Sequence, residues 1–238
     1  MTDEIWDSPH ELVPTTQSIE YVTTRAFRTV VERAIATREI EREARAEVRV
    51  HQPRWLRIQD TSAFATSGSA ANYFQVRLGF EFDLAEEARR AGARFVLARC
   101  EAFLWGTGAS PRVYDLFPRD LYEGEPRVVS VELGPELKVG EVGGSLGKIS
   151  TDLRIGQIEP VIVGWFGAAE REPRWELRPR EKTLIGIRNV WLWIEVPREC
   201  QRARLAVRVS GDVQTRLGPI PVGLKEVWDR DKWSVVIR

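Results

Sequence analysis

Apolar residues follow two kinds of spacing along this chain, and the change comes near residue 92. Before it, Ile19, Val22, Ala26, Phe27, Val30, Val31, Ala34 and Ile35 recur three and four positions apart, the stripe of an amphipathic helix. Thr15, Thr16 or Ser18 can cap that helix, and Glu20 falls in its first turn. The helix is expected over about 18–43, running on into the charged Glu39–Arg45 stretch. Residues 1–16, with Pro9, Pro14 and several acids, read as an irregular leader. A strand from Ala44 is an alternative, because Ala44, Ala46, Val48 and Val50 alternate with polar residues. Pro53 is expected to end that unit.

Strand signals take over from there. Val76, Leu78, Phe80 and Phe82 alternate with Arg77, Gly79, Glu81 and Asp83, which predicts a half-buried strand. Leu84–Ala91 reads as a helical turn stopped by Gly92, and Phe95–Trp105 as a second strand. Further strands are expected at Val128–Leu133, Leu137–Val142, Ile149–Ile155, Val161–Phe166, Trp175–Leu177, Leu184–Val196, Arg204–Val209 and Trp228–Ile237. Residues 61–72 are rich in Ser, Ala, Thr and Gly and read as a loop. Turn residues recur about every 8 to 14 positions with little helical periodicity after residue 92, a rhythm of antiparallel sheets. The expected fold is mainly β, an antiparallel sandwich or barrel with one N-terminal amphipathic helix, with residues 17–238 forming one domain.

The chain has 238 residues, enough for folding to bury roughly 70% of the open chain's surface without a metal or disulfide staple. Lys+Arg and Asp+Glu are 35 each, for a formal net charge of zero. That argues against a nucleic-acid partner drawn by a large basic field. The sequence has no apolar run long enough for a membrane-spanning helix and no secretory leader, so the expected location is cytoplasmic. Cys100 and Cys200 lie a hundred positions apart and read as reduced, buried thiols.

Catalytic patterns fail on context. Gly143-Gly144-Ser145-Leu146-Gly147 spells the G-x-S-x-G of a serine nucleophile, but no histidine follows His51 to serve as its base. Ser145 and Lys148 spell S-x-x-K, yet Gly147 and the β-branched residues beyond argue against the helix that would bring them together. No phosphate loop fits, because Val142 stands where its first glycine belongs. His10 and His51 have no ligand-spaced partners, so no metal and no cofactor are expected. Glu81, Glu101, Glu132, Glu176 and Glu195 lie in strand settings, and two glutamates facing a Trp-lined groove are what a glycoside-hydrolysing sandwich uses.

Nine tryptophans are the most unusual count. Trp191 and Trp193 stand two apart, on one face of a strand, and with Trp175 can make an aromatic floor. The expected function is therefore a non-catalytic interaction or assembly module. Its contact surface would be rich in Trp and Arg around Trp175, Trp191 and Trp193, and would bind a protein partner or a second copy. Two alternatives stand beside it. One is a carbohydrate-binding or glycoside-hydrolysing sandwich with a glycan ligand. The other is a β-rich pore-forming or membrane-associated effector, which alternating stretches such as Val76–Phe82 and Arg204–Val209 permit.

Overall fold

The computed structural model describes residues 6–59, 71–118, 120–121, 129–132, 138–141, 150–151, 161–165, 171–179, 184–224 and 234–237. Strand β1 (Pro9–Pro14) precedes helices α1 (Thr16–Ala26) and α2 (Val30–Glu43). Strands β2 (Ala46–Arg57) and β3 (Ala71–Leu84) follow, then helix α3 (Glu86–Arg90), β4 (Arg94–Thr107), β5 (Arg112–Phe117) and β6 (Asp120–Leu121). Next come β7 (Val129–Glu132), β8 (Lys138–Glu141), β9 (Ser150–Thr151) and β10 (Val161–Trp165). The chain closes with β11 (Arg174–Arg178), β12 (Gly186–Pro197), β13 (Arg202–Thr215), β14 (Gly218–Leu224) and β15 (Ser234–Ile237).

The expectation of a mainly β, antiparallel protein is met. Twelve strands form one sheet in the order β5-β12-β3-β2-β1-β14-β13-β4-β11-β10-β6, with β15 added on β13. Every described pair in it is antiparallel. This path curls. Phe82 on β3 and Phe95 on β4 meet edge to face at 5.7 Å, although four strands separate β3 from β4 in hydrogen-bonding order. At the far side, the β10 backbone at Gly164 lies against Leu116 and the Pro118 carbonyl, leaving no room for a side chain. The result is a curled half-barrel with its apolar residues inside. Its described strands follow one path, so this connectivity does not show two stacked sheets of a sandwich.

The alternation read from the sequence sets this interior. In β3, Val76, Leu78, Phe80, Phe82 and Leu84 are all buried. In β4 the inward set is Phe95, Ala98, Cys100, Ala102 and Leu104. Burying a Val, Leu or Phe side chain contributes roughly 1.5–3 kcal/mol, which explains why register is held along strands up to 14 residues long.

Three local readings are corrected. The leader is not wholly irregular: β1 pairs with β2 and β14 in mid-sheet, and Leu12 is fully buried. The single helix over 18–43 is two helices. Thr29 begins the second with a capping box, its hydroxyl accepting from the Glu32 N–H while Glu32 accepts from the Thr29 N–H. Pro53 does not end its strand. β2 continues to Arg57 through a bulge in which Gln52 and Pro53 stand opposite Leu78 alone. A bulge leaves residues outside the ladder, and that is where a proline without an N–H fits. The turn stopped by Gly92 is as expected: α3 ends before it, and Gly92 has φ +80°, a conformation glycine adopts without strain.

Candidate functional site

The aromatic floor expected from the sequence is not open to a ligand. Trp175, Trp191 and Trp193 are all buried, at 0%, 7% and 1% exposure. The two-residue spacing does place Trp191 and Trp193 at alternate positions of β12. That strand lies between β3 and β5, and it is buried without a break from Val190 to Val196. Both its faces are covered, so alternation along it does not separate inside from outside.

The strand glutamates are committed to arginines. Glu195, itself buried, accepts two hydrogen bonds from Arg112 at 2.8 and 3.1 Å. Glu176 lies between Arg99 and Arg178, Glu101 between Arg174 and Arg208, and Glu81 beside Arg49 at 3.0 Å. Charge-assisted hydrogen bonds to guanidinium groups fix a carboxylate in place, so these four glutamates are engaged in ion pairs. The Glu132 side chain lies outside the described residues, as does the whole Gly143–Gly147 motif with Ser145 and Lys148. Cys100 is buried and Cys200 half-buried, and both are free thiols. Burial, with the Glu101 charge beside it, pushes the Cys100 thiol well above its usual range.

Two features that sequence reasoning did not single out carry more. The first is a concavity of about 350 Å³ on the outer face of β2, β3 and β12. Its floor is Gly79, where an added Cβ would stand 3.1 Å from the His51 ring and 3.3 Å from Asn189 Oδ1. His51 is held by Asp7, whose carboxylate is 2.7 Å from Nδ1. Arg54 and Arg77 stand opposite each other across β2 and β3, immediately beyond the bulge. Ile187, half exposed, forms an apolar wall. The available signal was Pro53 inside an otherwise regular strand, which marks a bulge and so a place where side chains are re-aimed.

The second feature is the excursion from residue 122 to 160. It leaves the main sheet after β6 and returns in β10, and these two strands pair with each other, Leu121 opposite Ile162 and Asp120 opposite Val163. β6 is the last strand of the path. Strands β7, β8 and β9 within the excursion form a separate antiparallel sheet in the order β8-β7-β9. Register places positions 129, 131, 139, 141 and 151 on one face, occupied by Val, Val, Val, Glu and Thr. The sequence keeps the apolar phase between β7 and β8 and loses it at Glu141. Odd positions from 129 to 139 are Val, Val, Leu, Pro, Leu and Val, while even positions from 130 to 140 are Ser, Glu, Gly, Glu, Lys and Gly. From 149 to 156, Ile, Thr, Leu and Ile alternate with Ser, Asp, Arg and Gly. No helix among the described residues is long and apolar enough to cross a membrane, a statement that does not bear on strands.

No family model and no curated protein sequence matches this chain. Among solved structures, the Clostridium perfringens delta-toxin is similar over 82% of this chain and 88% of its own, at 7% identity and a TM-score of 0.43. The Clostridium perfringens NetB toxin in its membrane-inserted form covers the same shares at 9% identity and a TM-score of 0.37. A structure titled "Pore forming protein" covers 82% of this chain and 90% of its own, at 7% identity and 0.37. At these identities and scores, none of the three carries an argument about what this chain does.

Proposed function

We propose that this chain is a β-rich membrane-associated effector that forms a pore by inserting the 122–160 excursion as an amphipathic hairpin. The observation that carries the reading is the excursion itself. It leaves and re-enters the sheet between paired strands at the sheet's edge, and it hydrogen-bonds within its own three-stranded sheet. Such a segment can change its pairing without moving a strand of the half-barrel. Its two alternating stretches, 129–140 and 149–156, each approach or exceed the roughly 9–11 residues a tilted strand needs to cross the hydrocarbon layer. Apolar positions would face lipid, and Ser, Asp, Arg, Glu, Lys and Gly would face water. Gly143-Gly144-Ser145-Leu146-Gly147 then becomes the tip between them, a role that suits glycine at a tight turn.

Lipid offers no partner for an open sheet edge, so the hairpin must close into a barrel. The smallest such barrels have about 8 strands. One hairpin per chain therefore implies about four copies or more, which brings self-association into the reading as a consequence of insertion.

The test is release of a trapped dye from lipid vesicles by the full chain, together with an environment-sensitive fluorophore on Ser145→Cys in a Cys200→Ser background. Leakage with a blue shift of the fluorophore is expected. Absence of leakage from both zwitterionic and anionic vesicles would overturn the reading. Leakage with unchanged emission at residue 145 would remove the excursion from it.

A further inference from the structure

The concavity over Gly79 has the make-up of an anion site. Arg54 and Arg77 face each other at one register position, and like charges directly opposite on neighbouring strands repel. Among the described residues neither has an ion pair. The acids nearby are already engaged, Asp7 with His51 at 2.7 Å and Glu81 with Arg49 at 3.0 Å. Asn189, across the glycine floor, makes no side-chain hydrogen bond among the described residues, and its amide supplies donors. His51 Nε2 is buried and lacks a hydrogen-bond partner, the Glu81 carboxylate being 3.7 Å away. Two guanidinium groups thus line a hollow whose nearby acids are already paired, and Gly79 keeps its floor open.

We infer that this hollow binds a phosphomonoester, with Arg54 and Arg77 on its oxygens, the Asn189 amide as a further donor and Ile187 against its organic part. Two planar guanidinium forks match a dianion with three oxygens, where a carboxylate would need only one. A volume of about 350 Å³ holds a phosphate and a small substituent. The ligand is a free phosphomonoester or the headgroup of a lipid with a terminal phosphate. The inference stands apart from the pore reading, because affinity for phosphate is measured without a membrane.

Calorimetric titration of the full chain with inorganic phosphate is the first arm. Saturable binding is expected, with Arg77→Gln and Arg54→Gln each raising Kd at least about tenfold. Arg202→Gln, an exposed arginine on β13, should leave it unchanged. Gly79→Ala fills the floor without altering charge and should weaken binding while thermal unfolding shows the chain still folded. The second arm uses phosphatidylcholine vesicles with and without phosphatidic acid. Competition with inorganic phosphate only when phosphatidic acid is present assigns the site to a lipid headgroup, and no competition assigns it to a soluble ligand. The inference fails if phosphate does not bind saturably, or if it binds equally well to the Arg54 and Arg77 variants.

Discussion

The half-barrel and the excursion at its edge are both antiparallel sheet, yet they are built on different scales. β3, β4 and β13 run for 14 residues and β12 for 12, and each pairs along most of its length with at least one neighbour. In the excursion, β7 and β8 have four residues each and β9 has two. A ladder that short adds little cooperative stability, whereas a long strand cannot slip without turning its buried side chains outward. On the proposed reading, stability and rearrangement fall to separate parts of one chain. The elements with the smallest ladders are the ones a low-cost local opening would release.

The largest effect belongs to the half-barrel. Phe82→Ala removes one side of the contact with Phe95 that spans the curl. It should cost about 3–5 kcal/mol in denaturant unfolding. A midpoint close to wild type would mean that packing across the curl does not hold the sheet, and the contrast between the two regions would disappear. The excursion should behave in the opposite way. Leu153→Arg places a charge amid the second alternating stretch. A charge at the bilayer midplane costs about 2–4 kcal/mol for each strand that inserts. Vesicle leakage should fall at least about tenfold while the unfolding midpoint stays near wild type. A variant that leaks normally would sever the alternating pattern from function.

Much of this division was legible in the sequence. The pattern of apolar residues located β3, β4, β12 and β13, by period-two alternation in β3 and β13 and by apolar and aromatic richness in β4 and β12. It also marked the places of β7, β8 and β9. What it did not reveal is which strand neighbours which. The pairing of β1 with β14 joins residues about two hundred positions apart, and no local pattern encodes it. The tryptophans were misread for a related reason. Trp191 and Trp193 have the spacing of a one-faced strand, but both faces of β12 are buried there. The concavity was invisible because it depends on a bulge at Gln52–Pro53 and on register bringing Arg54 to Arg77.

A smaller effect sharpens the contrast from the alkaline side. The fully buried Cys100 thiol cannot ionise in the folded half-barrel at the pH where a solvated thiol does, about 9.0. The unfolded chain can, so stability conferred by the neutral buried thiol is present at lower pH and declines as pH rises past about 9. Replacing Cys100 with Ala should remove that part of the alkaline loss. Thiol reagents should modify Cys200 in the folded chain and reach Cys100 only on unfolding. Rapid labelling of both under native conditions would mean the half-barrel opens far more readily than its long ladders require.

The smallest expected effect asks which region the N-terminal helices belong to. α2 rests on the half-barrel through buried Ile40, while Val30, Val31 and Ile35 at its start are exposed. Its first turn depends instead on the reciprocal hydrogen bonds of Thr29 and Glu32. Thr29→Ala should cost about 1 kcal/mol of helix stability, read as faster amide exchange over the first turn with little change at Ile40. The Glu32 carboxyl is held below its ordinary range, chiefly by the Thr29 backbone N–H and then by its hydroxyl. A depressed carboxylate stabilises the fold above its ordinary pKa and loses that contribution as pH falls through the lowered one. The first turn should therefore fray in acid before the sheet responds, and Thr29→Ala should flatten that pH dependence. If exchange at Ile40 accelerates equally, the whole of α2 opens as one unit and belongs with the half-barrel rather than beside it.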